Sequence, residues 1–367
     1  MGVSWCRGEA AKVSAKLDLP ARRTTVDAMS PLSPLSPRRE RDQIVVTLPD
    51  QRLVDGLREV AAGVQLRLWD LTAPVQDPAD VTAVVVPYEG HAELGLLRDL
   101  PALRLVQTLT AGYDTVVPHL PPGVALANAA GVHDASTAEL AVGLAVAALR
   151  GVPQMVRDQE QALWRHEQRR SLADLRVLIV GYGGVGRAVA ARMLSFETDV
   201  TAVASRARAT GLDGVVVHGV EELGKLLPGH DVVVLTVPLN EATRGLVDAE
   251  FLAAMPDGAL LVNVSRGPVV DTVALVAQLR AGRLLAALDV TDPEPLPSSH
   301  ELWRLPGVLI SPHLGGATSA MWPRVLTRLG DQLRRLSAGE RLRAIIVPTP
   351  WSNSMVERPV RKANGPS

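Results

Sequence analysis

An arginine, a glutamate and a histidine carry most of the chemistry this sequence has to offer. Arg266 lies in NVSRGPVVD (263–271), Glu294 in LDVTDPEPLP (288–297) and His313 in LISPHLGGATS (309–319). Each segment closes an apolar run that reads as a β-strand, and ligands of open α/β sheets bind beyond the carboxyl ends of strands. Taken singly, the three residues are ordinary. They read as well as a surface ion-pair arginine, a loop carboxylate and a histidine held by structural hydrogen bonds, the commoner fate of one histidine. Taken together, they supply a cation for an anionic substrate, a proton donor that titrates near neutrality and a carboxylate to orient it. That set suits a proton-coupled hydride transfer.

A hydride needs a carrier, and RVLIVGYGGVGRAVAARML (176–194) is the strongest local signal for one. A buried strand runs into Gly181-x-Gly183-x-x-Gly186 and then into an alanine-rich helix. Gly181 permits the tight turn, Gly183 lets backbone approach a pyrophosphate, and Gly186 allows close helix–strand packing. The helix N-terminus offers unsatisfied N–H groups to the anion. Glycines also make plain turns, but this set lies inside a repeated strand–helix pattern. The next strand should end near an acid that binds the ribose 2′-OH of NAD. TAVASRARA (201–209) has none; Ser205 and Arg206 stand there, with Arg208 a weaker candidate. A carboxylate repels a 2′-phosphate, whereas a hydroxyl and a guanidinium hold it. The expected cofactor is therefore NADP(H) in preference to NAD(H), the alternative being a solvated loop in an arginine-rich chain.

These residues need two scaffolds. Strand-like runs at 43–49, 64–69, 81–87, 103–109 and 124–129 alternate with helical patterns and imply one parallel-sheet domain. A long helical pattern from about Thr137 to Trp164 follows. A second alternation then begins, with strands at 176–180, 199–203, 214–218, 231–238, 259–264, 284–290 and 308–312. The last helical pattern, 317–337, is expected to return to the first domain, where RAIIV (343–347) has no obvious partner. The expected organisation is a substrate domain of 43–136 plus 319–347 and a dinucleotide domain of 137–318. Loose tails are expected at 1–42, with Met29 as an alternative first residue, and at 348–367.

The 367 residues carry a net charge of −1, so nothing in the balance points to nucleic acid or an anionic membrane. Aromatics make up 3%, too few for base-stacking platforms. The one cysteine, Cys6, excludes a disulfide framework, and the scattered histidines give no ligand cluster, so no metal is expected. No apolar run spans a bilayer and no secretory h-region is present, so the expected setting is cytoplasmic.

The chain resembles the D-2-hydroxyacid dehydrogenase family over roughly residues 43–347, and LDVTDPEPLP is most similar to its glyoxylate/hydroxypyruvate reductase branch. The segments LVQTLTAGYD, TAEL, GYGGVG, VPLNEATRGL, NVSRG, LDVTDPEP and SPHLGG occur in family order. The resemblance implies a flavodoxin-like substrate domain and a Rossmann dinucleotide domain, both doubly wound, with a cleft that closes on the substrate. It implies reduction of a small 2-oxo acid to the D-2-hydroxy acid. Arg266 would hold the substrate carboxylate and keto oxygen, protonated His313 would act as general acid, and Glu294 would orient it. Backbone N–H groups around Ala111 and Gly112 would bind the carboxylate. Gly184, Val185, Thr236, Pro238, Val264, Gly315 and Gly316 would lie on the cofactor side, and Asp289 would contact the nicotinamide carboxamide. Side-chain selectivity is expected from the loop 86–91 and from Trp322. Thr236 stands where many members have a histidine. Glu294 argues against formate dehydrogenase activity, which pairs the histidine with glutamine. No lysine lies between Lys16 and Lys225, which argues against phosphite oxidation. A different class stays open: a dinucleotide-sensing binding protein resembling the corepressors of this superfamily, which keep the same trio. The family implies a homodimer built on the 137–164 region, although a helix buried in its own subunit fits that segment nearly as well.

Overall fold

The computed structural model describes residues 43–88, 90–208 and 214–356. The expected tail at 1–42 and the part of the other tail from 357 onward lie outside these residues. Two sheets carry the fold. The first contains β1 (Ile44–Leu48), β2 (Val64–Leu68), β3 (Val81–Val85), β4 (Leu105–Gln107), β5 (Ala125–Ala127) and β13 (Ile345–Val347), in the order β13-β5-β4-β3-β1-β2. The second contains β6 (Arg176–Val180), β7 (Asp199–Ala204), β8 (Val216–Gly219), β9 (Val232–Leu235), β10 (Leu260–Asn263), β11 (Leu285–Leu288) and β12 (Val308–Ile310), in the order β12-β11-β10-β9-β6-β7-β8. Every pairing is parallel except β13 with β5. The strand order reverses beside β1 in one sheet and beside β6 in the other. These are the flavodoxin-like and Rossmann arrangements.

The runs RVLIV, VVVL and LLVN form central strands because both of their faces are covered. Val177, Ile179, Val232 and Val234 sink into one core, Leu178, Val180, Val233 and Leu235 into the other. Such strands read as unbroken apolar runs rather than alternating ones. Helix α4 (Gly184–Leu194) covers one face, and α5 (Leu223–Leu226), α6 (Ala249–Ala254) and α7 (Thr272–Arg280), the last capped by the Asp271 carboxylate, cover the other.

The long helical segment is two helices, α2 (Asp134–Arg150) and α3 (Val152–Glu160), bent by 63° at their junction. Gly151 takes the left-handed conformation (φ 68°) and Pro153 follows it, a combination that ends one helix and starts another. Helix α2 is spent on packing: Ala138, Ala141, Val142 and Ala145 lie in the core beneath α4. Among the described residues no single helix is long and apolar enough to cross a membrane.

Helix α8 (Met321–Ala338) lays Val325, Leu329, Leu333 and Leu336 against the first sheet and against α1 (Gln51–Leu57). Buried Gln332 ties it there, donating to Gln107 Oε1 (3.0 Å) and to the Arg343 carbonyl (3.1 Å). Residues 348–356 correct the expected tail. They form α9 (Pro350–Asn353), with Thr349 capping it and Ser352 buried, and Val356 bridges back to Glu340. A Thr-Pro start with the N3 Ser returning the cap is a strong helix signal even in a short segment.

Candidate active site

The carboxyl ends of both sheets converge on a cavity of about 380 Å³. From the first sheet, the loop after β4 brings Thr110, Ala111 and Gly112; from the second, β10, β11 and β12 bring Arg266, Asp289 and His313. Val264, Gly315 and Gly316 complete the wall on the second side, and Tyr88 and His133 on the first.

His313 Nδ1 and Glu294 Oε1 are 2.6 Å apart. The carboxylate can only accept, so Nδ1 carries the proton and Nε2 is left for chemistry. The Glu294 hydrogen bond raises the His313 pKa, against the opposing pull of burial and of the nearby Arg266 charge. On Glu294, burial pushes the carboxyl pKa upward, but the His313 hydrogen bond and charge outweigh it and leave the carboxyl below its ordinary value. The pair is thus biased toward imidazolium and carboxylate. His313 also sits in the left-handed backbone region (φ 55°), a conformation that a non-glycine residue keeps only when its surroundings impose it. Asp289 imposes it. The Asp289 carbonyl accepts from His313 N (2.8 Å), and its carboxylate accepts from Ser311 Oγ (2.7 Å), Leu314 N (2.7 Å) and Gly315 N (2.9 Å).

Arg266 reaches across to the first sheet, and its guanidinium lies so close to Gly112 that a Cβ there would collide with Nη2. Nη1 donates to the Ser265 carbonyl (2.7 Å) and Nε to Asp114 Oδ1 (3.3 Å). Facing it, Asn128 Nδ2 donates to the Ala111 carbonyl and Thr110 Oγ1 to the Gly112 carbonyl, each at 2.7 Å. A trans peptide directs N–H opposite to C=O, so these anchors turn the N–H groups of Gly112 and Tyr113 away from Asn128 and Thr110. Neither N–H has a partner among the described residues. Two amides and a guanidinium side by side make a carboxylate receptor.

A second cavity of about 320 Å³ adjoins the first and is lined by Gly183, Gly184, Val185, Thr236, Pro238 and Val264. A Cβ on Gly186 would collide with the Gly181 carbonyl, so only glycine lets α4 start this close to the strand. Thr236 donates to that same carbonyl (2.6 Å) and pins the turn from β9. Among the described residues no side chain caps the N-terminus of α4, which leaves its first N–H groups to an anion. These residues fit a dinucleotide pyrophosphate. Asp134, at the start of α2, lies against Gly184 in the same cavity.

Ser205 and Arg206 are exposed at the end of β7, outside the linings of both cavities. Arg208 is better held. Its N donates to the Val217 carbonyl, and its guanidinium lies 5.9 Å from the ring of Tyr182, within the glycine loop itself. Of the two expected selectivity elements, Tyr88 lines the substrate-side cavity. Trp322 does not; it packs in the first core under the Arg52 guanidinium (4.0 Å). Sequence reasoning missed Asp114, Asn128 and His133. The His133 ring is buried, stacks on Tyr88 and meets the Leu109 carbonyl through Nε2 (2.9 Å). With Nε2 on that carbonyl, Nδ1 has no hydrogen-bond partner among the described residues.

Comparison with known proteins bears on this arrangement. The profile of the D-isomer specific 2-hydroxyacid dehydrogenase NAD-binding domain matches residues 142–315. The glyoxylate reductase of Korarchaeum cryptofilum is 32% identical over 302 residues, which is 78% of this chain and 90% of that protein. The chain belongs to the D-isomer specific 2-hydroxyacid dehydrogenase family. The dehydrogenase is also 34% identical to the glyoxylate/hydroxypyruvate reductase B of Erwinia tasmaniensis, over 62% of this chain and 74% of that one. Among solved structures, a family member from Xanthobacter autotrophicus in complex with NADPH and MES superposes with a TM-score of 0.72. It is 31% identical and matches 83% of this chain and 98% of its own. The chain is thus a dinucleotide-dependent 2-hydroxyacid dehydrogenase.

Proposed function

We propose that this dehydrogenase reduces a small 2-oxo acid of the glyoxylate or hydroxypyruvate type to the D-2-hydroxy acid, with NADPH as the preferred reductant. The observation that carries the reading is His313, paired with Glu294 at 2.6 Å, opening on the same cavity as Arg266 and Gly112, with Tyr113 on the adjoining one. Arg266 and those amides bind the carboxylate and fix the keto carbon. His313, proton-bearing on both ring nitrogens, gives the Nε2 proton to the keto oxygen as charge builds there, and Glu294 stabilises the imidazolium beforehand. The bound dinucleotide supplies the hydride. Thr236, Gly183 to Gly186 and Val264 hold the cofactor, and Asp289 keeps the His313 loop in register. A cavity of about 380 Å³ suits a substrate of few carbons. The polar wall of Tyr88 and His133 favours one with a hydroxyl beyond the keto carbon.

NADPH preference rests on the absence of an acid at Ala204 and on the cations that follow. It is supported by the 31% identical neighbour in complex with NADPH. Ser205 and Arg206 stand at the strand end, and Arg208, held on Tyr182, joins them as the cation nearest the glycine loop. The partner is a second copy of the chain. Met155, Val156 and Leu163 are about half exposed and Trp164 is 97% exposed, an apolar strip running from α3 into the segment beyond it.

The deciding experiment follows oxidation of NADPH and of NADH, in parallel, against a panel of 2-oxo acids. Turnover of glyoxylate and hydroxypyruvate, faster with NADPH, is expected. Tight dinucleotide binding without turnover of any acid would overturn the reading and leave a dinucleotide sensor.

A further inference from the structure

We propose that Asp114 is the positioning residue for Arg266, holding the guanidinium of the second sheet over the carboxylate receptor of the first. The proposal rests on the reductase reading above for its substrate, but not for its geometry. Arg266 and Asp114 are 152 positions apart in sequence and meet across the junction of the two sheets, Nε to Oδ1 at 3.3 Å. Both side chains are largely buried, at 28% and 25% exposure, so the contact is shielded better than a surface ion pair.

The division of labour among the donors makes the case. A guanidinium has five N–H groups in a fixed plane. On its own side, Arg266 is anchored by a local turn. Asn263 Oδ1 accepts from Ser265 N (3.0 Å) and Ser265 Oγ (2.6 Å), Asn263 Nδ2 donates to the Arg266 carbonyl (3.1 Å), and the Ser265 carbonyl accepts from Nη1. That turn fixes the backbone and one corner of the plane. The long side chain can still rotate about that corner. Asp114 takes Nε and stops the rotation, leaving Nη2 over Gly112, beside the two free amides. Asp114 follows those amides directly in the chain, so the residue that aims the cation is built into the loop that carries the receptor. A competitor for the guanidinium would occupy Nη2, the corner the substrate needs; Asp114 occupies a different one.

The test uses the full chain with Asp114→Ala and Asp114→Asn. Five quantities are measured: KM and kcat for the best 2-oxo acid, the Kd of NADPH by fluorescence, the Kd of oxamate with NADPH present, and Tm. Loss of a shielded charge-assisted bond predicts that Asp114→Ala raises KM and the oxamate Kd about tenfold or more, with a smaller fall in kcat. The NADPH Kd and Tm should stay near wild type. Asp114→Asn keeps an acceptor for Nε and should recover most of the loss. An unchanged or lowered KM and oxamate Kd in Asp114→Ala overturns the proposal, as does a parallel loss of NADPH binding and Tm, which would make Asp114 a strap between the sheets. If wild type turns over no 2-oxo acid, the reductase reading fails. The oxamate series alone then decides the role of Asp114, with the same ordering required.

Discussion

At the scale of single residues, the His313–Glu294 pair makes two separable predictions. Replacing His313 with Asn removes the proton donor. It should lower kcat by about two to four orders of magnitude while the NADPH Kd, read by fluorescence, stays within a few-fold. Replacing Glu294 with Gln acts on pH dependence. Glu294 is the main influence raising the His313 pKa; without it, burial and the Arg266 charge pull the other way. Reduction needs protonated His313, so its rate falls as pH rises through that pKa. In the Glu294→Gln variant the fall should come at lower pH, and a pH–rate profile of kcat/KM checks it; an unmoved basic limb would remove Glu294 from this role. Arg266, Glu294 and His313 were legible because each sits in a motif that closes a strand. Asp114, Asn128 and His133 were not, because their partners lie 152, 17 and 24 positions away and no local pattern encodes those meetings.

At the scale of elements, the loop after β7 is where cofactor choice is tested. If Ser205 and Arg206 form the 2′-phosphate clamp, Arg206→Ala should raise KM for NADPH by about tenfold and leave KM for NADH unchanged. If Arg208 supplies the cation, Arg208→Ala should show that split instead, and the two variants measured side by side assign it. Strands with two covered faces were readable as apolar runs, and the glycine loop announced its helix. The bend at Gly151 and the 3-10 turn at Leu94–Asp99, one of the helical patterns between strands of the first domain, were less so. Apolar periodicity registers a buried face and is insensitive to a change of helix axis or winding. The partner of β13 was illegible for a related reason. An edge strand pairing antiparallel with β5 depends on where α8 delivers it, not on its own three residues.

At the scale of the whole molecule, the strip from Met155 to Trp164 predicts a dimer that one charge can split. In size-exclusion chromatography with light scattering, wild type should elute as a dimer and Trp164→Glu as a monomer. A dimer that survives the substitution places the interface elsewhere. The order in which the chain visits its two sheets has a further consequence, for biosynthesis. The second sheet is contiguous, β6 to β12, whereas the first waits for α8 and β13. While the nascent chain emerges, Leu53 and Leu57 lack the helix that later covers them, and β5 keeps an open edge until residues 345–347 arrive. The sheet begun first of the two is therefore the last to close. A chain cut off after residue 318 would carry a complete second sheet joined to a first sheet that lacks α8 and β13, with apolar side chains and a strand edge left uncovered.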